Sequence, residues 1–317
     1  MNKLYIVVPA YNEEEILKSS AEVLLNILKK LISDNLVCDE SRILFVNDGS
    51  IDSTWQIIKD LKKLDEHFTG ISFSRNEGHQ KAVLAGLKNS VEKGADLTIS
   101  IDADLQDDVN AIIEMVKKYH QGYKVVYGVR SSRKKDSFLK RFTAQSYYKL
   151  LKFLGIELVY NHADFRLLSK EVVLSLSLYN EQDLYLRGII PQIGFKSDKV
   201  YYQREERKAG VSKYNLRKML KLASDGVYSF SLKPLRIVNI FAWLLLIGGI
   251  IASICCFLLI PPLYSDYIIG CVVSLMCVLL SIVLFAISIV GNYVGRTYME
   301  SKKRPLYFIS EDLDKNI

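Results

Sequence analysis

Cysteine is scarce in this chain of 317 residues, which contains only five, and most of them lie in apolar sequence. Cys255, Cys256, Cys271 and Cys277 fall within two long hydrophobic runs near the C-terminus, and only Cys38 lies outside them. No group of cysteines has the spacing of a metal site or of a disulfide framework. The sequence therefore excludes a disulfide-stapled small domain and a cysteine-ligated metal centre. It also lacks internal repeats and low-complexity linkers.

Charge is missing from two long stretches in the last third of the sequence. Residues 237–260 and 267–294 contain no charged side chain. Each run exceeds the ~20 residues that are needed to cross a bilayer core of ~30 Å. The connecting segment 261–266 is too short to form a domain. We therefore expect a transmembrane helical hairpin, in preference to a buried helical hairpin in a water-soluble core.

Positive charge flanks the two runs on their outer sides, and the connecting segment has neither Lys nor Arg. The flanking basic residues are Lys233, Arg236, Arg296, Lys302, Lys303 and Arg304. Under the positive-inside rule, this asymmetry places both termini in the cytoplasm. No signal peptide is visible, since Lys3 leads directly into the first apolar segment. The sequence thus predicts a multi-pass cell-membrane protein with two spanning helices and a cytoplasmic N-terminal domain.

Two segments, 130–152 and 200–236, carry net charges of +7 and +6. The rest of the chain is acidic overall, which leaves a net charge of +7 for the whole chain. Basic sequence beside a membrane span attracts anionic lipid headgroups, so we expect a lipid partner and no nucleic acid. Within these segments, 138–154 and 214–227 alternate basic residues with aromatic and aliphatic ones. Both are predicted to lie in the membrane interface as amphipathic helices. The alternative is two ordinary surface helices packed on a sheet.

The N-terminal two thirds alternate short apolar segments with helical periodicity, which predicts an α/β fold with a doubly wound, mainly parallel sheet. Strands are expected at 4–8, 42–46, 71–74, 97–101 and 124–127. Helices are expected at 13–31, 54–64, 80–93 and 111–121. In such sheets, ligands bind beyond the carboxyl ends of the strands.

Acidic residues follow the strand at 97–101, in the sequence Thr98–Asp107 (TISIDADLQD). Asp102 and Asp104 would stand together at the edge of the sheet, where Mg²⁺ or Mn²⁺ favours carboxylate oxygens and keeps positions open for substrate phosphates. An acidic, solvated turn is the alternative, and for an isolated Asp-x-Asp it is the better interpretation. The residues that follow the other strands decide between a metal site and a solvated turn.

Polar motifs also follow the first three strands. Asp48 ends the second strand, where its carboxylate can accept a hydrogen bond from a base or ribose, or can simply cap a turn. The adjacent Gly49 lets the backbone approach a ligand. Arg75 follows the third strand and is placed to meet a phosphate, and Gly78 either opens the next helix or serves as a turn residue.

These motifs together resemble the inverting glycosyltransferases of family 2, which have the GT-A fold, and within them the branch that makes polyprenyl-phosphate sugars. The matching segments are 7–15 (VVPAYNEEE), 46–54 (VNDGSIDST), 74–86 (SRNEGHQKAVLAG), 102–107 (DADLQD), 128–141 (GVRSSRKKDSFLKR), 164–171 (DFRLLSKE) and 204–220 (REERKAGVSKYNLRKML). Asp107 and Asp108 stand where the dolichol enzymes often have His-Pro-Pro, which favours the bacterial bactoprenol subgroup. The Q-x-x-R-W motif of the processive synthases is not matched at 182–185, so polymerisation is disfavoured.

The resemblance implies a role for individual residues. Those expected to bind the nucleotide sugar are Pro9, Tyr11, Glu13, Asp48, Arg75 and Asp102. Asp102 and Asp104 would hold Mg²⁺ or Mn²⁺, and Gln106 would lie near the sugar. Those expected to bind the lipid phosphate are Arg130, Arg141, Arg207, Ser212 and Lys213.

Asp104, Gln106 and Asp164 are the catalytic candidates. Asp164 is either a general base or a residue that orients Arg166 or another arginine, and the sequence leaves both open. His79 and His162 are excluded from the chemistry, because a single loop histidine is more often structural.

The implied reaction is inverting transfer of a sugar from a nucleotide sugar, UDP-linked by subgroup resemblance, to polyprenyl (undecaprenyl) phosphate. Its product would be a lipid-linked sugar for cell-envelope glycan modification, and the enzyme would be a homo-oligomer. The alternatives are a glycosyltransferase with another acceptor and a non-catalytic scaffold that binds nucleotide sugars. The expected organisation is a GT-A domain at 1–210, a juxtamembrane helix at 211–236, the hairpin at 237–295 and a cytoplasmic tail at 296–317.

Overall fold

The computed structural model describes residues 1–131, 162–179, 181, 185–203 and 265–315. Four predicted lipid-phosphate ligands, Arg141, Arg207, Ser212 and Lys213, lie outside these residues. The two predicted interface segments and the first apolar run, 237–260, lie outside them as well. The described chain belongs to two compact units, 1–226 with 304–317, and 227–303.

Eight strands of the first unit form one sheet. They are β1 (Leu4–Ala10), β2 (Arg42–Asn47), β3 (Phe68–Phe73), β4 (Leu97–Ser100), β5 (Val125–Arg130), β6 (His162–Ser169), β7 (Ser197–Tyr202) and β8 (Ile309–Asp312). Their order across the sheet is β7-β5-β6-β4-β1-β2-β3-β8. The pairs β1–β2, β1–β4, β2–β3 and β5–β7 are parallel, and the three pairs made by β6 and β8 are antiparallel. The sheet is therefore mixed, with a parallel centre.

Seven helices are present among the described residues. They are α1 (Leu17–Ser33), α2 (Thr54–Leu64), α3 (His79–Glu92), α4 (Ala111–His120), α5 (Lys170–Leu176), α6 (Leu186–Gln192) and α7 (Ser265–Ser301). Helix α1 shows why the periodicity predicts helices. Its fully buried Leu17, Ala21, Leu24, Leu28 and Leu31 recur every three or four residues and form one stripe against the sheet.

Helix α3 lies unusually close to the sheet. A Cβ at Gly86 would stand 2.3 Å from Cγ1 of Val7 in β1 and 2.8 Å from Cγ2 of Val46 in β2. Only glycine permits this approach, which fixes the helix across β1 and β2. The N-terminus of α3, with His79 as its first residue, follows the carboxyl end of β3.

The predicted α/β class is confirmed, but two sequence-based expectations need correction. The sheet is less parallel than expected, because β6 is inserted antiparallel between β4 and β5. A short apolar segment predicts a strand without predicting its direction. The last residues of the chain also do more than form a tail, since β8 extends the sheet beside β3.

The predicted membrane location is contradicted. The second apolar run lies in α7, a single helix of 37 residues. Among the residues that the structure describes, no helix has the combination of length and apolarity needed to cross a membrane. The prediction rested on the absence of charge from residues 237–260 and 267–294, and only the second of these runs lies within the described residues. The assignment as a multi-pass membrane protein with cytoplasmic termini is therefore wrong on this finding.

Strand β8 is attached to the sheet by two carboxylates. The buried Asp312 accepts hydrogen bonds from Lys93 Nζ at 2.7 Å and from Asn89 Nδ2 at 3.3 Å. Asp314 accepts from Lys93 Nζ at 2.8 Å and from Thr69 Oγ1 at 2.6 Å. Lys93 thus joins the end of α3 to the C-terminal segment through both carboxylates.

Replacing Lys93 with methionine is expected to destabilise the first unit by about 3 kcal/mol, because the buried Asp312 carboxyl group loses its cationic partner. The free energy of unfolding from urea titration measures the effect. The matched control is Lys63→Met, which breaks an exposed pair with Asp60 and should cost less than about 1 kcal/mol. Equal losses for the two variants would contradict the role of Lys93.

Acid should weaken the same attachment. Burial raises the pKa of Asp314, but hydrogen bonds from Lys62, Lys93 and Thr69 outweigh it and hold this pKa below its ordinary value. A carboxyl whose pKa is lower in the folded state stabilises the fold above its unfolded pKa of about 4 and loses that contribution as the pH falls. Unfolding measured between pH 6 and pH 2 should show a smaller acid-dependent loss in Asp314→Asn than in the wild-type chain.

Candidate functional site

The loops that follow β1 and β2 are joined by hydrogen bonds from the backbone. Asn12 N–H donates to Ser50 Oγ at 3.0 Å, and Ile51 N–H donates to Asn12 Oδ1 at 3.0 Å. Glu13 N–H donates to Thr54 Oγ1 at 2.9 Å. Asn12 has a φ of 53°, a conformation that asparagine adopts more readily than most residues. The two loops therefore form one rigid surface at the carboxyl edge of the sheet.

The carboxylate of Asp48 holds the loop between β3 and α3. It is buried and accepts hydrogen bonds from Asn76 Nδ2 at 3.0 Å, from Glu77 N–H at 2.8 Å and from Gly78 N–H at 3.0 Å. Burial raises the pKa of Asp48, and the two backbone donors partly offset the increase. A predicted ligand of the nucleotide base is thus engaged with its own polypeptide in this structure.

Gly49 brings the same two loops into contact. It has a φ of 64°, and a Cβ there would lie 2.4 Å from the carbonyl carbon of Arg75 and 2.6 Å from the backbone nitrogen of Asn76. These neighbours are backbone atoms, so they cannot rotate away as a side chain can. The position requires glycine for conformation and for space.

Gly49→Ala is expected to destabilise the chain by more than Gly94→Ala. Both positions have positive φ, but a Cβ at Gly94 meets no atom within 4 Å. The Gly94 variant therefore measures the conformational cost alone, about 1 kcal/mol. The Gly49 variant adds displacement of the β3–α3 loop, for which we expect about 2 kcal/mol more. Equal unfolding free energies for the two variants would contradict this close approach.

Asp102 and Asp104 follow β4, the strand that lies beside β1 in the sheet. The Asp102 side chain is 46% exposed, and its Oδ1 lies 3.5 Å from Nε2 of His79. Partial burial raises the pKa of Asp102; His79 lowers it, and the charges of Asp164, Asp107 and Asp104 raise it again.

The turn after these residues is strained. Asp104 Oδ1 accepts a 3.4 Å hydrogen bond from the N–H of Gln106, and Leu105 between them has a φ of 44°. A leucine in the left-handed region costs about 1–2 kcal/mol and is typical of positions held by a functional loop.

The donor set at this turn fits a divalent cation. The negative charges of Asp164, Asp107 and Asp104 favour protonation of Asp102, and the same charges favour a bound metal ion. Carboxylate oxygens are ligands that suit Mg²⁺ or Mn²⁺. Within the described part of the chain, no group of three His, Cys, Asp or Glu side chains is arranged to hold a metal. A cation here would need oxygen ligands from a substrate.

Asp164 lies between two arginines beside this turn. Arg187 donates from Nε to Oδ1 at 3.1 Å and from Nη2 to Oδ2 at 2.8 Å, and Arg166 Nη2 also donates to Oδ1. Burial favours the neutral acid, but Arg187 and Arg166 outweigh it and hold the pKa of Asp164 well below its ordinary value. Of the two roles open for Asp164, this geometry supports orientation of arginines over proton abstraction.

Two further predicted phosphate ligands are engaged in ion pairs. Arg130 donates to the buried Asp107 from Nη2 at 3.1 Å and from Nε at 3.3 Å. The exposed Arg75 donates from Nε to Glu77 at 2.6 Å. Each arginine therefore stands at the carboxyl edge of the sheet with an acidic partner.

The structure brings most of the described candidates to one edge. Pro9 is buried at the end of β1, while Tyr11 and Glu13 lie in the loop that follows it. His79 was excluded by the sequence argument but stands between Asp102 and Asp164, with Nε2 3.8 Å from Asp164 Oδ2. The sequence around His79 (GHQ) has no periodic pattern from which this contact could be predicted. Arg187 was missed entirely.

The chain belongs to glycosyl transferase family 2, whose model matches residues 5–176. This range contains β2 to β6, all of β1 except Leu4, and every predicted site residue that the structure describes. The chain is therefore a sugar transferase, as the sequence motifs predicted.

Curated relatives extend over almost the whole chain. YkoT of Bacillus subtilis (strain 168), an uncharacterized glycosyltransferase, is 44% identical and covers 98% of this chain and 92% of its own length. The prophage bactoprenol glucosyl transferase homolog of Escherichia coli (strain K12) is 37% identical and covers 97% and 98%. The bactoprenol glucosyl transferase of Shigella phage SfV is 37% identical and covers 99% and 100%.

Solved structures are more distant. Mannosyl-3-phosphoglycerate synthase from Rubrobacter xylanophilus is 15% identical with a TM-score of 0.44, covering 71% of each chain. Glucosyl-3-phosphoglycerate synthase from Mycobacterium tuberculosis is 14% identical with a TM-score of 0.46, covering 72% of this chain and 79% of its own. These likenesses are too distant to assign a ligand to the present chain.

Proposed function

We propose that this chain transfers a sugar from a nucleotide sugar, in UDP-linked form, to the phosphate of a polyprenyl carrier, with inversion at the anomeric carbon. The Escherichia coli and phage SfV relatives support it, since both are named for bactoprenol glucosyl transfer and align over nearly their full length. The observation that carries the proposal is the meeting of Asp102 and Asp104 with Asp164 and its two arginines at one sheet edge. Its product is a lipid-linked sugar for envelope glycans.

The donor is assigned to the interlocked loops after β1, β2 and β3. In this proposal Pro9, Tyr11 and Glu13 line the nucleotide pocket and Asp48 meets the base, which requires that it exchange a hydrogen bond now made to the β3–α3 loop. Arg75 lies nearby for the phosphates, and Gln106 lies near the sugar.

Asp102 and Asp104 are the residues that would hold Mg²⁺ or Mn²⁺. The cation supplies charge neutralisation at the departing nucleoside diphosphate. The protein's own contribution is the placement of two carboxylates on a strained turn, with His79 beside one of them. Positioning them costs no reorganisation at the moment of reaction.

The acceptor is a phosphate monoester, whose second pKa of about 6 leaves it mainly dianionic at neutral pH. It needs positioning more than deprotonation, which agrees with an Asp164 that is held ionised by Arg166 and Arg187. Arg130 is proposed for the acceptor side together with Arg141, Arg207, Ser212 and Lys213, the last four by family resemblance alone. A homo-oligomer is proposed on the same resemblance.

Asp104→Asn and Asp102→Asn are expected to lower transfer about 100-fold or more, because each removes a preorganised charge at the leaving group. The assay offers undecaprenyl phosphate, Mn²⁺ or Mg²⁺, and radiolabelled UDP- and GDP-sugars in turn, and follows label entering the organic phase. EDTA should abolish the wild-type signal.

The matched control for these variants is Asp108→Asn. Asp108 accepts a 2.9 Å hydrogen bond from the N–H of Asn110 before α4, a function that asparagine retains. This variant should keep near wild-type activity. Nucleotide-sugar binding by the wild-type chain without transfer to any lipid would instead favour the scaffold alternative.

A further inference from the structure

The C-terminal segment 307–314 is attached to β3 at the carboxyl end of that strand, where the candidate site lies. β8 pairs with β3 in the antiparallel direction, and Phe73 stands opposite Ile309. One residue further on, the N–H of Ser74 donates to the carbonyl oxygen of Phe308 at 3.1 Å. Ser74 is the first residue after β3 and begins the loop that leads to α3. The C-terminal segment therefore fixes the point at which this loop starts.

Two side chains of this segment reinforce the attachment. The ring of Tyr307 is stacked on the buried ring of Phe73, with the centroids 5.0 Å apart and the planes 8° from parallel. Ser310 Oγ donates to the carbonyl oxygen of Ser72 at 3.0 Å. Aromatic pairs add stabilisation beyond the apolar area that they bury. Both contacts can be removed by substitutions that leave the sequence of β3 unchanged.

The same end of β3 is also joined to the loop after β2. Asn47 Nδ2 donates to Ser72 Oγ at 2.8 Å in the interior of the protein. The N–H of Ser50 in turn donates to Asn47 Oδ1 at 3.2 Å. Hydrogen bonds thus connect Ser310 with the loop that carries Asp48, by way of the last residues of two neighbouring strands.

The loop 75–78 is fixed at both of its ends and is held between them by Asp48. Its first end follows Ser74, which is bound by the C-terminal segment. Its second end is Gly78, directly before α3, and that helix is held against the sheet at Gly86. In the proposed function, Asp48 gives up a hydrogen bond to this loop when it meets the base of the donor. The conformation of the loop then depends more strongly on its two ends.

We propose that Tyr307 and Ser310 are positioning residues for the nucleotide donor, acting through the end of β3 on the loop 75–78. The inference rests on the proposed function, which assigns the donor to the loops after β1, β2 and β3. It gives a role in substrate binding to a segment whose sequence predicts only a tail. Because both residues act through β3, their loss should weaken binding of the donor nucleotide and leave binding of the acceptor unchanged.

The test uses the full-length chain with Tyr307→Ala and Ser310→Ala combined. UDP binding is measured by calorimetry with Mn²⁺ and no acceptor, and farnesyl phosphate binding is measured without donor. The dissociation constant of UDP should rise about 5- to 10-fold, because the two lost contacts are individually modest and act on the loop indirectly. The affinity for farnesyl phosphate should stay within twofold of wild type. In transfer assays, the KM of the donor should rise more than kcat falls.

Three further variants separate positioning from general stability. Tyr307→Phe keeps the stacked ring and should bind UDP as the wild type does. Glu311→Gln is the matched control in β8, since this side chain lies 3.9 Å from Lys59 at the surface and should not affect UDP. Gly94→Ala destabilises the chain beyond the far end of α3, where a Cβ meets no atom within 4 Å. It should lower stability and leave the UDP affinity unchanged.

A UDP affinity within twofold of wild type in the folded double variant would overturn the inference and leave the proposed function intact. Equal losses of UDP and farnesyl phosphate affinity would overturn it as well, since they indicate general loosening. If the double variant does not fold, unchanged UDP affinity in Tyr307→Leu decides against the inference in the same way. Conversely, a wild-type chain that transfers sugar to no lipid, but loses UDP affinity in the double variant, would remove the proposed function and retain the role of the C-terminal segment.

Discussion

The repulsion among carboxylates at one edge of the sheet is the constraint that organises the site. Asp102, Asp104, Asp107 and Asp164 act on one another electrostatically, and such a cluster is stable only when cations are distributed through it. Arg130 pairs with Asp107, and Arg166 and Arg187 pair with Asp164. The inner carboxylates are thereby neutralised by protein side chains. At the turn, Asp102 is 46% exposed and lies 3.5 Å from Nε2 of His79, so a cation from solution could reach this end of the cluster and reduce its repulsion.

A fixed scaffold is needed for this balance, because a charge pair loses its value when its partners move. The carboxyl ends of β1, β2 and β3 supply it: the loops bind one another through Asn12 and Asp48, and Gly49 permits their contact. Gly86 brings α3 against β1 and β2, which fixes the direction from which His79 approaches Asp102. The outer side of β3 is covered by β8, whose attachment through Lys93 begins where α3 ends. The same helix therefore links the sheet edge to the site.

Local patterns predicted the central strands and their helices well, because β1, β2 and α1 to α4 are specified by their own periodicity. They also placed Asp102, Asp104 and Asp48 at strand ends, as the structure has them. What they missed depends on pairing across the chain. The Arg130–Asp107 contact joins residues 23 apart, and the attachment of β8 joins residues more than 200 apart. The membrane prediction rested on the composition of two runs alone, and none of the helices among the described residues has the length and apolarity needed to cross a membrane.

The distribution of cations has a consequence for how a substrate is received. The positive side chains are already committed to buried carboxylates, so they present directed hydrogen-bond donors in place of a diffuse positive field. Under the proposed function, such donors would select phosphate by geometry and lose little entropy on binding, because their rotamers are fixed beforehand. A metal at Asp102 and Asp104 would take its remaining oxygens from the diphosphate, as Mg²⁺ commonly does. Under the proposed function, metal and donor would then be bound together, and the metal would reduce the carboxylate repulsion at the turn.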